Sequence, residues 1–330
     1  MKEQANEKKT ISKKFIIVII VSVVLVASFI VAYFSYIKPE HESAIVTYSK
    51  TVQEYTVALS NFDAKCEQFQ SVNSRLENEI TDLQDTITYG GEPYDKNMIV
   101  LANDAINQGK IAIKEVPVLD FEREVKKVEE FFFLQVNAIK EEDSIVKEKT
   151  EKLNKLIEEM EIPDYSEVTT GINTAQINLE NSIRQLEQVT APLEAFVLSR
   201  IMEIKDEAGM VDIIALTEDT DPENLIGKNG WYTSKIIFRH KDVKHYGLDN
   251  GLKTLAEIGN PAGGCVETYA TVEDAERRNE ELIAMEGTVR SPGAHFVCGT
   301  MVVRVSEDMK TSTQKILLEM IVDALLRLEE

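Results

Sequence analysis

The chain of 330 residues is poor in cysteine and has a single tryptophan, Trp231. Cys66, Cys265 and Cys298 are too few for a disulfide-dense scaffold, and none sits in a Cys-x-x-Cys pair, so the fold must rest on packing. Catalytic signatures are also missing. There is no Gly-x-Ser-x-Gly elbow, no His-Glu-x-x-His and no phosphate-binding glycine loop. The chain therefore reads as a binding module rather than an enzyme. An envelope hydrolase or a sensor of unknown substrate is the alternative.

Positive charge is outnumbered everywhere but at the N-terminus. The net charge is −21, and the first fourteen residues carry +3, from Lys2, Lys8, Lys9, Lys13 and Lys14 against Glu3 and Glu7, which leaves −24 for the rest. Such an acidic surface repels nucleic acid and anionic lipid headgroups, so neither is expected as a partner of it. A content of 43% hydrophobic and 28% charged residues is that of a folded protein.

Against these absences stands one long apolar run. Residues 15–37, FIIVIIVSVVLVASFIVAYFSYI, hold no charge; as a helix they measure about 35 Å, enough for a hydrocarbon core of about 30 Å. A cleavable signal peptide has a shorter apolar region and a small-x-small cleavage site. Here the run ends instead in Tyr33, Phe34, Tyr36 and Lys38, residues that anchor at an interface, and no cysteine closes it as in a lipoprotein. The expectation is a retained single-pass anchor in the cell membrane. Lysines before the run and Glu40 and Glu42 after it place residues 1–14 in the cytoplasm and the bulk outside.

After the anchor the chain is expected to be mostly α: a helical stalk over 40–204, as a long antiparallel bundle or coiled coil, and then a small α+β domain over 205–330. From Ile45 to Ile87 the core positions recur three and four apart through Tyr48, Val52, Tyr55, Leu59, Phe62, Cys66, Phe69, Asn73, Leu76, Ile80 and Leu83. Tyr89-Gly90-Gly91-Glu92-Pro93 ends the run, and a shorter helix spans 94–114. The next long helix is expected over 119–161, with Val125, Phe132, Ile139, Val146, Leu153 and Met160 seven apart; its alternate positions Gln135, Glu142 and Lys149 are polar. Phe132 is the seam member of the Phe131–Phe133 run, for which burial in a bundle is expected and an exposed partner site is the alternative. The short Ile162-Pro163-Asp164 link then favours an antiparallel partner helix from Val168 to Phe196. Homo-oligomers through these seams are a competing use, with Asn73 setting register.

Beyond residue 204 the period changes to that of strands, at 211–216, 233–238, 265–270 and 296–305, with helices at 272–285 and 312–328. That order suggests a sheet with helices on one face and a right-handed crossover from the third strand to the fourth. The segments QVTAPLEAFVLSRI from Gln188, LTEDTDPENLIGKNGWYTSKIIF from Leu216, GGCVETYATVEDAERRNEEL from Gly263 and GTMVVRVSEDM from Gly299 resemble a domain of uncharacterised membrane proteins and lipoproteins of Gram-positive bacteria. The resemblance covers about residues 163–330 and implies a cell-surface setting. It brings no activity.

Within this domain Trp231 and Tyr232, beside Gly230, are the candidate ligand-binding residues, for stacking on a sugar or a peptide; a local core anchor is the other reading. An envelope component or a partner protein is the implied ligand. No cofactor is expected. Asp219, Asp221 and Glu223 supply oxygen donors of the kind Ca²⁺ takes, but the EF-hand positions for Gly and Glu hold Asn224 and Gly230, and a solvated Asp-Pro turn is the alternative. His240, His245, His295, Cys265 and Cys298 have zinc-binding atoms at poor spacing. Cys265 and Cys298 are candidates for a disulfide between neighbouring strands.

Overall fold

The structure, a computed structural model, describes residues 13–132, 135–288 and 291–329. It divides into two compact units. One holds the residues up to Leu76 together with Ile113–Tyr165, and the other holds Glu77–Ala112 with Ser166–Glu330. Helical residues on either side of position 204 thus share a unit with the sheet.

In the first unit α1 (Lys13–Ala32) passes through a π-helical turn at Tyr33–Ile37 into α2 (Lys38–Tyr89). The apolar side chains of α1 are open on all sides, Val18 at 60% and Leu25 at 64% exposed among them. Among the described residues this is the one helix long and apolar enough to cross a membrane. Further along, α2 buries Tyr48, Tyr55, Phe62, Phe69 and Leu76, spaced by sevens. The facing helix α4 (Val136–Glu159) buries Ile139, Val146 and Leu153, with Met160 at its end.

Three side-chain bonds fix the register of this unit. Thr51 Oγ1 donates to Asp143 Oδ1 at 2.5 Å, Lys65 Nζ to the Ile157 carbonyl at 2.5 Å, and Tyr165 OH to Asn73 Oδ1 at 2.8 Å. Each joins residues 92 apart, so the two segments run in the same direction. The antiparallel arrangement expected of the long helices is therefore not formed here.

The return between α2 and α4 is made by extended chain. Residues 113–132, the later part of which was expected to open the long helix, contain only a 3₁₀ turn at Val128–Glu130. Side chains of α2 donate to its carbonyls: Tyr48 OH to Lys126 at 2.6 Å, Tyr55 OH to Arg123 at 2.8 Å, Cys66 Sγ to Pro117 at 3.8 Å and Asn73 Nδ2 to Lys114 at 2.7 Å. From α4, Lys149 Nζ reaches the carbonyls of Glu122 at 2.8 Å and Glu124 at 3.0 Å. Pro117 disfavours a helical conformation at Val116 and brings no N–H of its own, and the strap's carbonyls find side-chain donors on the flanking helices instead. The strap runs antiparallel to α2, since its positions fall as those of α2 rise. In consequence the sevenfold spacing fails at its N-terminal end: Phe132 is 74% exposed, and it is Phe131 that packs on Tyr48, edge to face at 5.4 Å between ring centres. Phe133 lies outside the described residues.

In the second unit α3 (Asn97–Ala112) takes α5 (Ser166–Gln188) as its antiparallel partner, with Ile172 against Gly109 and the Tyr94 N–H donating to the Ser182 carbonyl at 2.9 Å. This replaces the pairing of α5 with the preceding long helix that the short link suggested. Next come α6 (Glu194–Glu203) and a five-stranded sheet of β1 (Met210–Ala215), β2 (Ser234–His240), β3 (Gly263–Thr268), β4 (His295–Cys298) and β5 (Met301–Val305). The order is β1-β2-β3-β5-β4, every neighbouring pair antiparallel. The single strand expected over 296–305 is thus a hairpin, turned at Gly299, whose φ is +60°. The segment between β2 and β3 contributes two short helices, α7 (Tyr246–Asp249) and α8 (Leu255–Ile258). Two longer ones are α9 (Val272–Ile283) and α10 (Thr311–Leu326).

Helices cover both faces of the sheet, not one. Ile236, Phe238, Val266, Val303 and Val305 share a core with Val197 and Ile201 of α6 and Leu317, Ile321 and Leu325 of α10. On the opposite face Val302 packs with Tyr232, Tyr269, and Ala275 and Leu282 of α9, while Ile237 and Cys265 pack with Leu216 and Leu255. Cys265 and Cys298 belong to different cores, with β5 between their strands, and both are free thiols. No disulfide joins them.

Candidate functional site

The α9 face of the sheet carries charge at its centre. Lys235 of β2 stands opposite Glu267 of β3 in the ladder, and both are buried. Lys235 Nζ lies 3.2 Å from Glu267 Oε1 and 3.0 Å from Glu223 Oε2. Arg304 Nη1 of β5 approaches the same Glu267 Oε1 at 3.0 Å. The other oxygen accepts from Arg278 Nε of α9 at 3.2 Å and from Tyr269 OH at 3.1 Å. Burial alone pushes the Glu267 carboxyl up, but Lys235, Arg304 and Arg278 outweigh it and hold the group at about 2. A carboxylate so surrounded stays ionised and fixes the side chains around it. The nearby Cys265 thiol is pushed up to about 11, by burial first and then by Glu267, so it is not an activated nucleophile.

The acidic loop between β1 and β2 is organised by one of its carboxylates. Asp221 is buried; Oδ1 accepts from the Glu223 N–H at 3.1 Å, and Oδ2 from Leu225 at 2.7 Å and Ile226 at 3.1 Å. Tyr232 OH lies 3.0 Å from both oxygens and 2.9 Å from Glu223 Oε2, so these carboxylates share its one proton. Burial pushes the Asp221 carboxyl up, and these donors draw it below its ordinary value. Asp219 is exposed and takes no part. Thus Asp221 and Glu223 are brought together around Tyr232, while their oxygens serve the loop.

The zinc-type atoms are dispersed. His240 Nδ1 accepts from the Asp242 N–H at 3.1 Å, and His295 lies between Asn279 at 2.7 Å and Glu286 at 3.1 Å. His245 immediately precedes α7. Among the described residues no group of three or more His, Cys, Asp or Glu is placed to hold a metal ion.

Trp231 and Tyr232 differ in burial where the turn from Lys228 leads toward β2. Tyr232 is 2% exposed, with Lys235 Nζ 4.8 Å from its ring centre, so it is a core anchor. Trp231 is 38% exposed and forms one wall of an open cleft of about 350 Å³. Asn229 and Gly230 continue that wall, Tyr269 and Arg278 lie toward the sheet, and Asp274, Arg277 and Glu281 complete the α9 side. The four α9 positions are three, four and seven apart, so they share one helix face. Arg277 spans the cleft mouth, donating to Asp274 Oδ1 at 2.6 Å and to the Gly230 carbonyl. Arg278 is held from behind by Glu267 and from the side by Glu281 Oε2 at 2.9 Å.

Sequence reasoning reached Trp231 but missed Arg277, Arg278 and the Glu267 cluster. The signal was present in Glu267 and Arg304, each the one charge of its strand, and in Lys235 beside the apolar Ile236-Ile237-Phe238 run of β2. Comparison with protein-family models, with curated proteins and with solved structures finds no match for this chain.

Proposed function

We propose that this chain is a single-pass membrane protein that holds a ligand-binding α+β domain outside the cell, with the cleft at Trp231 as its binding surface. The observation that carries this reading is the pairing of an exposed indole with well-positioned polar groups, in a chain whose described residues include one membrane-length apolar helix. Small-ligand sites commonly combine an aromatic wall with a few fixed polar groups. The lysines before α1 favour a cytoplasmic N-terminus, and the resemblance of residues 163–330 to domains of surface proteins agrees with that orientation.

Two measurements test the reading. In protoplasts treated with external protease, a tag at the N-terminus is expected to survive and a tag at the C-terminus to be removed; the reverse pattern rejects the topology. A ligand screen with wild-type protein and Trp231→Ala tests the cleft, and ligands that bind both equally place the binding surface elsewhere.

A further inference from the structure

The lining of the Trp231 cleft limits what it can hold. Its charges balance: Asp274 and Glu281 on α9 match Arg277 and Arg278 on the same face. A polyanion and a polycation would each meet as much repulsion as attraction there. Apart from the indole and the buried Tyr269 ring, the lining side chains are polar, so an aliphatic ligand would strand hydrogen-bonding groups.

The donors and acceptors left over define the ligand further. Arg278 commits Nε to Glu267 and Nη1 to Glu281, and its Nη2 finds no acceptor among the described residues. Trp231 Nε1 and the Asn229 side-chain amide also have no side-chain bond among the described residues, and Glu281 Oε1 accepts none. A fitting ligand therefore offers several acceptors and at least one donor beside a flat apolar face. A peptide adding to the sheet is disfavoured, because β2 and β3, whose ends border the cleft, each have strands paired on both sides.

We infer that the cleft binds a neutral saccharide, one or two pyranose rings of a longer glycan, with a ring face on Trp231 and hydroxyls on Arg278, Glu281 and Asn229. This rests on the cleft being the binding surface proposed above. The ring carbons supply the apolar face, and vicinal hydroxyls both donate and accept. A volume of about 350 Å³ lies at the small end of ligand sites.

Trp231 is the only tryptophan in the chain, so tryptophan emission reports on this wall alone. The full chain in detergent is titrated with cello- and chito-oligosaccharides, with dipeptides and with inorganic polyphosphate. A saturable emission shift with an oligosaccharide is expected, together with at least a tenfold loss of affinity by calorimetry in Trp231→Ala and in Asn229→Ala. Asn229 lies on an exposed turn outside the buried charge cluster, so its variant keeps the fold. A shift with dipeptides or polyphosphate and none with sugars overturns the saccharide assignment and leaves the cleft as the site. No shift with any probe, or sugar affinity unchanged in both variants, overturns the cleft itself.

Discussion

Asn73 and Tyr165 close a three-membered hydrogen-bond ring with the backbone of Lys114. Tyr165 OH donates to Asn73 Oδ1 at 2.8 Å and accepts from the Lys114 N–H at 3.0 Å, and Asn73 Nδ2 donates to the Lys114 carbonyl at 2.7 Å. An asparagine in an apolar seam commonly specifies register between chains. Here its amide is satisfied inside one chain, where it fixes the start of the strap. Tyr165→Phe leaves a buried donor and acceptor unpaired and should cost about 1–3 kcal/mol. Asn73→Leu with Tyr165→Phe should cost less than the two single changes summed, which urea denaturation of the three variants measures.

The pairing of Glu267 has a pH signature. Its carboxyl lies at about 2 in the fold against an ordinary 4.5. Because the folded value is the lower one, the stabilisation is complete above about pH 4.5 and is lost as pH falls toward 2. The full amount is about 3 kcal/mol. Glu267→Gln should be destabilised at pH 7 by about 3–5 kcal/mol, since three cations lose their common partner. The gap between wild type and variant in urea midpoint should narrow between pH 4.5 and 2; a constant gap would contradict the role given to ionised Glu267.

The acidic loop distinguishes a metal site from a hydrogen-bonded turn. Asp221→Ala removes the acceptor of three backbone N–H groups and of Tyr232 OH, so it should lower the melting temperature, and equally with or without EDTA. Asp219→Ala should have no effect. If EDTA instead destabilises the wild type and Ca²⁺ restores it, the loop is a calcium site.

At the β4–β5 turn Gly299 has φ +60°, and a Cβ there would stand 2.3 Å from the Val189 carbonyl oxygen. Gly299→Ala therefore combines an unfavourable backbone conformation with a clash against main chain. A loss of about 2 kcal/mol or more is expected. Amide exchange should locate it in β4, β5 and the start of the α5–α6 link.

Much of this architecture is readable from residue pattern. The α2 seam from Tyr48 to Leu76, the breaks at Gly90-Gly91 and Pro163, the strands β1 to β3 and the helices α9 and α10 follow local rules of period, and α9 has in Thr271 its capping side chain as well. The strap does not, because Val125 and Phe132 continue the phase of Ile139, Val146 and Leu153 and so imitate a helix. The contrary signal lay in the polar alternates. Gln135 accepts from the Phe132 N–H at 3.1 Å, Glu142 pairs with Lys126 at 2.8 Å, and Lys149 binds two strap carbonyls. Gln135 and Lys149 are polar because they meet peptide groups, and Glu142 because it meets a lysine of the strap, rather than another helix. At the cleft, periodicity marks Trp231 and Tyr232 alike, and only the paths of the surrounding strands decide which one is buried. The role of Arg278 depends on Glu267, eleven residues earlier on a different element, which no local pattern connects.

The strap also sets an exchange rate between two kinds of chain. Tyr48 and Tyr55 are seven residues apart on α2 and hold Lys126 and Arg123, three apart on the strap. Seven helical residues rise about 10.5 Å, and three extended ones about 10 Å. Cys66 and Asn73 repeat that ratio against Pro117 and Lys114. Removing a matched heptad from α2 and α4 with three strap residues would therefore shorten this unit while keeping its pairs in step. A one-residue deletion in α2 alone would turn every later side chain by about 100° out of its place. Within each of these two stretches the length can thus change only by a heptad of helix together with three residues of strap.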